Sequence, residues 1–205
     1  MTKVKICGIT ELKHALAAAD AGADYIGFVF AKSKRQITRE AAKVIISQLP
    51  DKIQTIGVFV DEPLERMIEI ADYCGLDLLQ LHGKETYESY QHAGYPIIKS
   101  VSVKGTDDLT LMDLPEADYL LFDTWHEEMA GGSGEVFDWK ALKDKVCHRP
   151  FFLAGGLNED NVEKGIALIR PYAVDVSSGV EKDGKKDLDK IKQFIKKVKG
   201  CHDEL

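Results

Sequence analysis

Eight short apolar runs rich in β-branched residues recur along the chain, and a helical pattern stands between each run and the next. The runs are VKIC (4–7), DYIGFVF (24–30), IQTIGVFV (53–60), DLLQLH (77–82), PIIKSV (96–101), DYLLFD (118–123), PFFLAG (150–155) and AVDVSS (173–178). They are mostly continuous rather than alternating, as expected of strands covered on both faces. Regular alternation of strand and helix points to parallel pairing, because a parallel neighbour is reached through a crossover helix. Eight such units can close into a barrel with helices outside. The expectation is therefore an α/β fold, a (βα)8 barrel of eight parallel strands in one compact domain over residues 1–205. The rival is an open doubly wound sheet, but no strand leads into G-x-G-x-x-G in a dinucleotide context.

Capping signals set the expected helix ends. Thr10 can cap LKHALAAADAG and Gly22 can end it. Thr38 can cap REAAKVIISQL, which stops at Pro50. Pro63 opens LERMIEIADYC and Gly75 closes it. A helix is expected within KETYESYQHAG, a short one near TDDLTLMD and another in DWKALKDKV. Asn158 can cap EDNVEKGIALI, and KKDLDKIKQFIKKVKG closes the set with lysines toward its C-terminus.

The chain of 205 residues carries 27 Lys and Arg against 34 Asp and Glu, a formal net charge of −7. That argues against a nucleic-acid surface. A small anionic substrate remains compatible, provided one cleft gathers cations and backbone N–H groups. No apolar run approaches the roughly 20 residues of a membrane span, and MTKVKICGIT has no apolar signal core, so a cytoplasmic protein is expected. The final HDEL matches a retention signal of the endoplasmic reticulum, but without a signal peptide it reads as a polar tail. Cys7, Cys74, Cys147 and Cys201 form no C-x-x-C pair, so they read as reduced thiols with neither metal nor disulfide.

In a barrel the C-terminal strand ends form the active face. Cys7 there is either a small buried hydrophobe or a general base, and the start of the first helix follows it. Asp123 is either a loop cap or a general acid whose pKa is raised by burial. The glycines of AGGLN and SSGVE are turn residues singly. As two loops on adjacent strands, Gly155, Gly156, Ser178 and Gly179 favour a phosphate. KSKR (32–35) is either a solvated run or a cation over the mouth, with Arg35 able to clamp a carboxylate bidentately. Gln80 and His82 are packing or hydrogen-bonding residues, His82 being also able to titrate. Lys99 fills the barrel or neutralises an anion. The stretch AGGSG (130–134) is a spacer or a lid.

Taken together, VKICGIT, DYIGFVFAKSKRQIT, IGVFVDE, LLQLHG, LLFDT, GGSGEVFDW, LAGGLNEDNV and AVDVSSGVE resemble the phosphoribosylanthranilate isomerase family of tryptophan biosynthesis, in order and in spacing. The resemblance implies a (βα)8 barrel and a cofactor-free, metal-free Amadori rearrangement. Its substrate would be N-(5-phosphoribosyl)anthranilate, and its product 1-(2-carboxyphenylamino)-1-deoxyribulose 5-phosphate. It further implies Cys7 as general base, Asp123 as general acid and Arg35 at the anthranilate carboxylate. Gly155, Gly156, Ser178 and Gly179 would hold the phosphate, and Asp175 the amine or ribose. The partner is then a small phosphorylated molecule, with no nucleic acid or membrane, and the state a monomer or weak homodimer. Two other readings compete. A histidine-pathway aminoaldose isomerase performs a related rearrangement, but such enzymes resemble aspartate–aspartate catalysts, which Cys7 weighs against. A silent barrel that only binds a phosphorylated metabolite would keep the glycine loops and need neither Cys7 nor Asp123.

Overall fold

In the computed structural model, the structure describes residues 1–103, 116–124, 139, 142 and 149–201. Eight strands form it: β1 (Lys3–Cys7), β2 (Tyr25–Val29), β3 (Gln54–Phe59), β4 (Leu78–Leu81), β5 (Ile97–Val103), β6 (Tyr119–Thr124), β7 (Phe151–Leu153) and β8 (Ala173–Val176). Each pairs in parallel with the next, and β8 returns to β1, closing the barrel. At the closure Lys5 stands opposite Asp175, and across β1 and β2 Cys7 stands opposite Gly27. Every run read from the sequence is a barrel strand.

The described helices are α1 (Leu12–Ala21), α2 (Arg39–Ile46), α3 (Leu64–Cys74), α4 (Tyr87–Tyr90), α5 (Val162–Ile169) and α6 (Leu188–Gly200). Thr38 caps α2 by accepting from the Ala41 N–H at 3.2 Å, and the left-handed Gly22 and Gly75 end α1 and α3. Two caps fall elsewhere than expected. Helix α1 begins after Glu11 rather than Thr10, with the Glu11 carbonyl accepting from His14 and Ala15. Helix α5 begins after Asn161, because the Asn158 side chain accepts from the Asp160 N–H two residues on and so makes a turn. Helix α2 stops at Ile46, short of Pro50. The helices expected near 106–113 and 138–146, and the 130–134 loop, lie outside the described residues, as does Cys147.

Strand alternation divides the apolar residues into two cores. Outward positions such as Val4, Ile6, Leu79, Leu81, Leu120, Phe122 and Val174 pack under the helices. Inward positions form a separate cluster: Tyr25, Ile56, Leu78, Ile98, Leu121, Phe152, Ala154 and Ala173. At the N-terminal end Tyr25, Tyr119 and Tyr172 surround Phe152, with ring centroids 5.5 to 6.0 Å from it, and the Lys3 ammonium lies over Tyr25 and Tyr172. This aromatic plug closes the floor and leaves the opposite end as the open one. Beyond β8 the chain adds a short antiparallel hairpin, β9 (Glu181–Lys182) with β10 (Lys185–Lys186). Its turn is Asp183-Gly184, both residues at positive φ (52° and 77°), the conformation a two-residue hairpin loop requires.

Phe152 is the largest wholly apolar side chain of the inner cluster and is fully buried. Phe152→Ala should lower stability by about 3–5 kcal/mol through lost burial and an unfilled cavity, read as a shift in the urea unfolding midpoint.

Candidate active site

Above the apolar layer the inward positions turn polar. Lys5 and Cys7 of β1, Gln80 of β4 with His82 just beyond it, Asp123 of β6 and Asp175 of β8 all point inward at the C-terminal end, as period-two alternation demands. Cys7, Arg35, Gln80, His82, Asp123, Gly155, Gly156, Asp175 and Ser178 line one cavity. Gly179 is not in that lining. It lies in a 3-10 turn (Ser178–Val180), where a side chain would run into the Leu157 carbonyl and Asn158.

Lys5 is completely buried, and its Nζ donates to Asp175 Oδ2 at 2.8 Å and to Gln80 Oε1, with the Cys7 side chain close enough to act on its charge. Burial works against its charge, but Asp175 and Cys7 outweigh that and hold the ammonium above its usual pKa. The other carboxylate oxygen, Asp175 Oδ1, is buried with no hydrogen-bond partner among the described residues. A buried acceptor left unpaired is costly, so it is a point where a bound molecule with an N–H or O–H gains most.

Burial pushes the Cys7 thiol up from its ordinary value, against the opposing pull of Lys5 and Lys186. Burial likewise pushes the Asp123 carboxyl up, while His82 opposes it. Burial lowers His82 and so favours its neutral imidazole, against the pull of Asp123. Its Nε2 stands 3.5 Å from Asp123 Oδ2, and its Nδ1 is 2.7 Å from Ser100 Oγ and 3.3 Å from Gln80 Nε2. A carboxyl inclined to keep its proton therefore shares a cavity with a sulfur that carries positive charge beside it. Gly155 and Gly156 both have positive φ (79° and 66°), and a side chain on Gly155 would strike Thr124 and crowd Asp123 Oδ1. Only glycine lets that loop lie against the carboxyl.

Arg35 does clamp a carboxylate in bidentate fashion, but the carboxylate belongs to Glu181. Arg35 Nε donates to Oε1 at 2.5 Å and Nη2 to Oε2 at 3.0 Å. Lys186 Nζ also donates to Glu181 Oε1 at 2.9 Å and to the Ser177 carbonyl at 2.8 Å. The hairpin brings these groups together, since Glu181 and Lys186 are paired across it. Lys99 is absent from the cavity lining. It faces out of the barrel and is held by the Gly83 carbonyl (2.7 Å) and Glu85 (2.6 Å), which settles it as a loop anchor. Lys5, Gly27, Glu181 and Lys186 are the residues that sequence reasoning missed. Among the described residues no group of three or more His, Cys, Asp or Glu side chains is placed to hold a metal ion.

The family model described as N-(5'phosphoribosyl)anthranilate (PRA) isomerase matches residues 4–197. A Bacillus cereus protein named N-(5'-phosphoribosyl)anthranilate isomerase is 50% identical over 200 residues, 97% of this chain and 99% of its own length. The crystal structure of phosphoribosyl anthranilate isomerase from Thermotoga maritima is 43% identical, with a TM-score of 0.87 over 98% of this chain and 100% of that one. A further structure of such an isomerase, in complex with reduced 1-(o-carboxyphenylamino)-1-deoxyribulose 5-phosphate, is 41% identical with a TM-score of 0.84, covering 98% of this chain and 100% of that one.

The cations around Glu181 hold its carboxyl at about 2 despite burial. A depressed carboxyl contributes stability that is complete above its unfolded-state value and is lost as pH falls toward 2. Wild type should therefore lose its urea-midpoint advantage over Glu181→Gln across the window from about pH 4.5 down to pH 2. A constant difference across that window would contradict the assignment.

Proposed function

The chain belongs to the phosphoribosylanthranilate isomerase family, and from that premise we propose that Cys7 and Asp123 are the base and the acid of its Amadori rearrangement. The chain is an aldose–ketose isomerase of tryptophan biosynthesis. The observation that carries the assignment of roles is the single cavity, at the open end of the barrel, that holds Cys7 and Asp123 together.

Asp123 delivers its proton to the furanose oxygen of N-(5-phosphoribosyl)anthranilate. The C1–O bond breaks and an iminium cation forms between C1 and nitrogen. Burial supports this role, because a raised carboxyl pKa keeps the proton available. The Cys7 thiolate then takes the proton from C2, the C–H electron pair forms a C1=C2 bond while the iminium C=N pair returns to nitrogen, and an enolamine results. This collapses to the ketone by protonation at C1 and loss of the hydroxyl proton at C2. The raised pKa of the resting thiol is answered by the substrate: the iminium acidifies C2–H and, beside the sulfur, also favours the thiolate.

Binding at both ends fixes the reacting carbons between these groups. The Gly155-Gly156 loop and Ser178 hold the phosphate, with Gly179 allowing the close backbone packing behind them. Arg35 takes the anthranilate carboxylate on the guanidinium edge that Glu181 leaves free. Asp175 Oδ1, without a partner of its own, accepts from the substrate amine or a ribose hydroxyl. Every side chain in this account comes from one chain, so a monomer suffices and a weak homodimer is compatible. No described helix is long and apolar enough to cross a membrane, and the soluble phosphorylated substrate fits a cytoplasmic setting.

Removing either proton-transfer group should lower kcat about 10²–10⁴-fold. The test is turnover of purified Cys7→Ser and Asp123→Asn with the anthranilate substrate, with the histidine-pathway aminoaldose assayed alongside. Near-normal turnover by either variant would remove its role, and no turnover by wild type would leave only a binding barrel. Arg35→Ala should raise KM by about tenfold or more, the loss of a charge-assisted hydrogen bond.

A further inference from the structure

We propose that Lys5 is the positioning residue for both proton transfers: it binds Asp175 directly beside Cys7, and through Gln80 it fixes the His82 tautomer that faces Asp123. The inference rests on the reading of Cys7 as base and Asp123 as acid, and deepens it.

An ammonium has three donors and no acceptor. Lys5 is fully buried, so its donors need partners: Nζ bonds Asp175 Oδ2 and Gln80 Oε1, and the Cys7 sulfur packs beside the lysine against Gly27. Gly27 makes the arrangement fit. A β-carbon there would lie 2.9 Å from Cys7 Sγ and 3.0 Å from Lys5 Cε, so any larger residue on β2 would part the sulfur from the ammonium.

The second half of the argument follows donors and acceptors. Because Lys5 can only donate, the Gln80 amide must turn its oxygen toward Lys5. Its nitrogen then faces His82 Nδ1, 3.3 Å away. That nitrogen can only donate, so Nδ1 must accept, and the Ser100 hydroxyl at 2.7 Å can donate to it as well. The single proton of the neutral ring is thereby placed on Nε2, which stands 3.5 Å from Asp123 Oδ2. This spacing is loose for a hydrogen bond, and it can close as Asp123 gives up its proton and becomes an anion. One oxygen of Asp123 is reserved for His82, and the proton to be donated sits on the other. The charged and titratable groups that act on these centres are Lys5, Asp175 and Lys186 around Cys7, and Asp123, Lys5 and Asp175 around His82, with Lys99 acting from outside the barrel. Lys5 and Asp175 are common to both sets, and Lys5 is the donor of that pair.

The substitution Lys5→Met keeps the length and removes the donors. In the folded variant kcat should fall about tenfold or more while KM changes by less than about threefold. Iodoacetamide alkylation of Cys7, followed by peptide mass mapping, should shift to higher pH by about one unit, since the thiolate loses its cation. A folded Lys5→Met enzyme with unchanged kcat and an unchanged alkylation profile would overturn the inference. If Cys7→Ser is inactive in the same assays, the base assignment survives that result; if Cys7→Ser is active, the underlying reading fails first. The wild-type protein gives a measurement independent of the variant's folding. Long-range proton–nitrogen NMR, with His82 assigned by its loss in His82→Gln, should find a neutral ring protonated at Nε2 at neutral pH. A ring protonated at Nδ1, or an imidazolium, would overturn the inference.

Discussion

An ammonium removed from water at the top of an apolar barrel is the constraint that the open end of this molecule is built around. Lys5 is inward-facing because β1 alternates, and it is buried because seven other strands surround it. A charge in that position is tolerable only with full compensation. Asp175 supplies a carboxylate from the neighbouring strand, Gln80 supplies an amide oxygen from across the barrel, and the Cys7 sulfur lies near enough to act on the charge. Those groups also belong to the set to which we assign the chemistry. Stabilising the lysine and arranging the site are the same structural task.

Burial acts alike on the two groups to which we assign opposite functions. It raises the Asp123 carboxyl and the Cys7 thiol together, and both are buried to a similar degree, 8% exposed each. For a proton donor that direction is helpful as it stands. For a base it is helpful only if something else restores the anion at the moment of need. The cations Lys5 and Lys186 are standing contributions, and the iminium of the ring-opened substrate is a transient one. On the proposed mechanism, an environment of this kind keeps the thiol quiet without substrate and responsive with it.

Much of the fold was legible because apolar strand runs between capped helices leave few ways to pair. All eight runs became barrel strands, and Thr38, Gly22 and Gly75 behave as their chemistry suggests. Asn158 misled because an Asx side chain serves a turn as readily as a cap, and Thr10 because the turn into α1 is made one residue later. Of the site, Cys7, Asp123, Asp175, Gln80, His82 and Arg35 were visible as polar residues at strand ends. Lys5 was not, since a lysine alternating with apolar residues ordinarily marks a solvated face, and only barrel closure reverses that meaning. Glu181 and Lys186 were hidden because the Asp183-Gly184 turn between them went unread, although its sequence is a strong hairpin signal. Arg35 was identified as a carboxylate clamp, and its grip on Glu181 depends on a contact spanning 146 residues that no local pattern encodes.

The seam between β1 and β8 has a temporal meaning as well as a spatial one. Lys5 and Asp175, bonded at 2.8 Å, are separated by 170 positions, and the Ser177 hydroxyl reaches the Cys7 carbonyl across the same interval. While the polypeptide is still emerging from the ribosome, the sulfur and the lysine wait without the strand that completes their surroundings. Until β8 docks, Lys5 lacks its carboxylate partner, so a truncated or nicked product that stops short of it holds an orphaned cation.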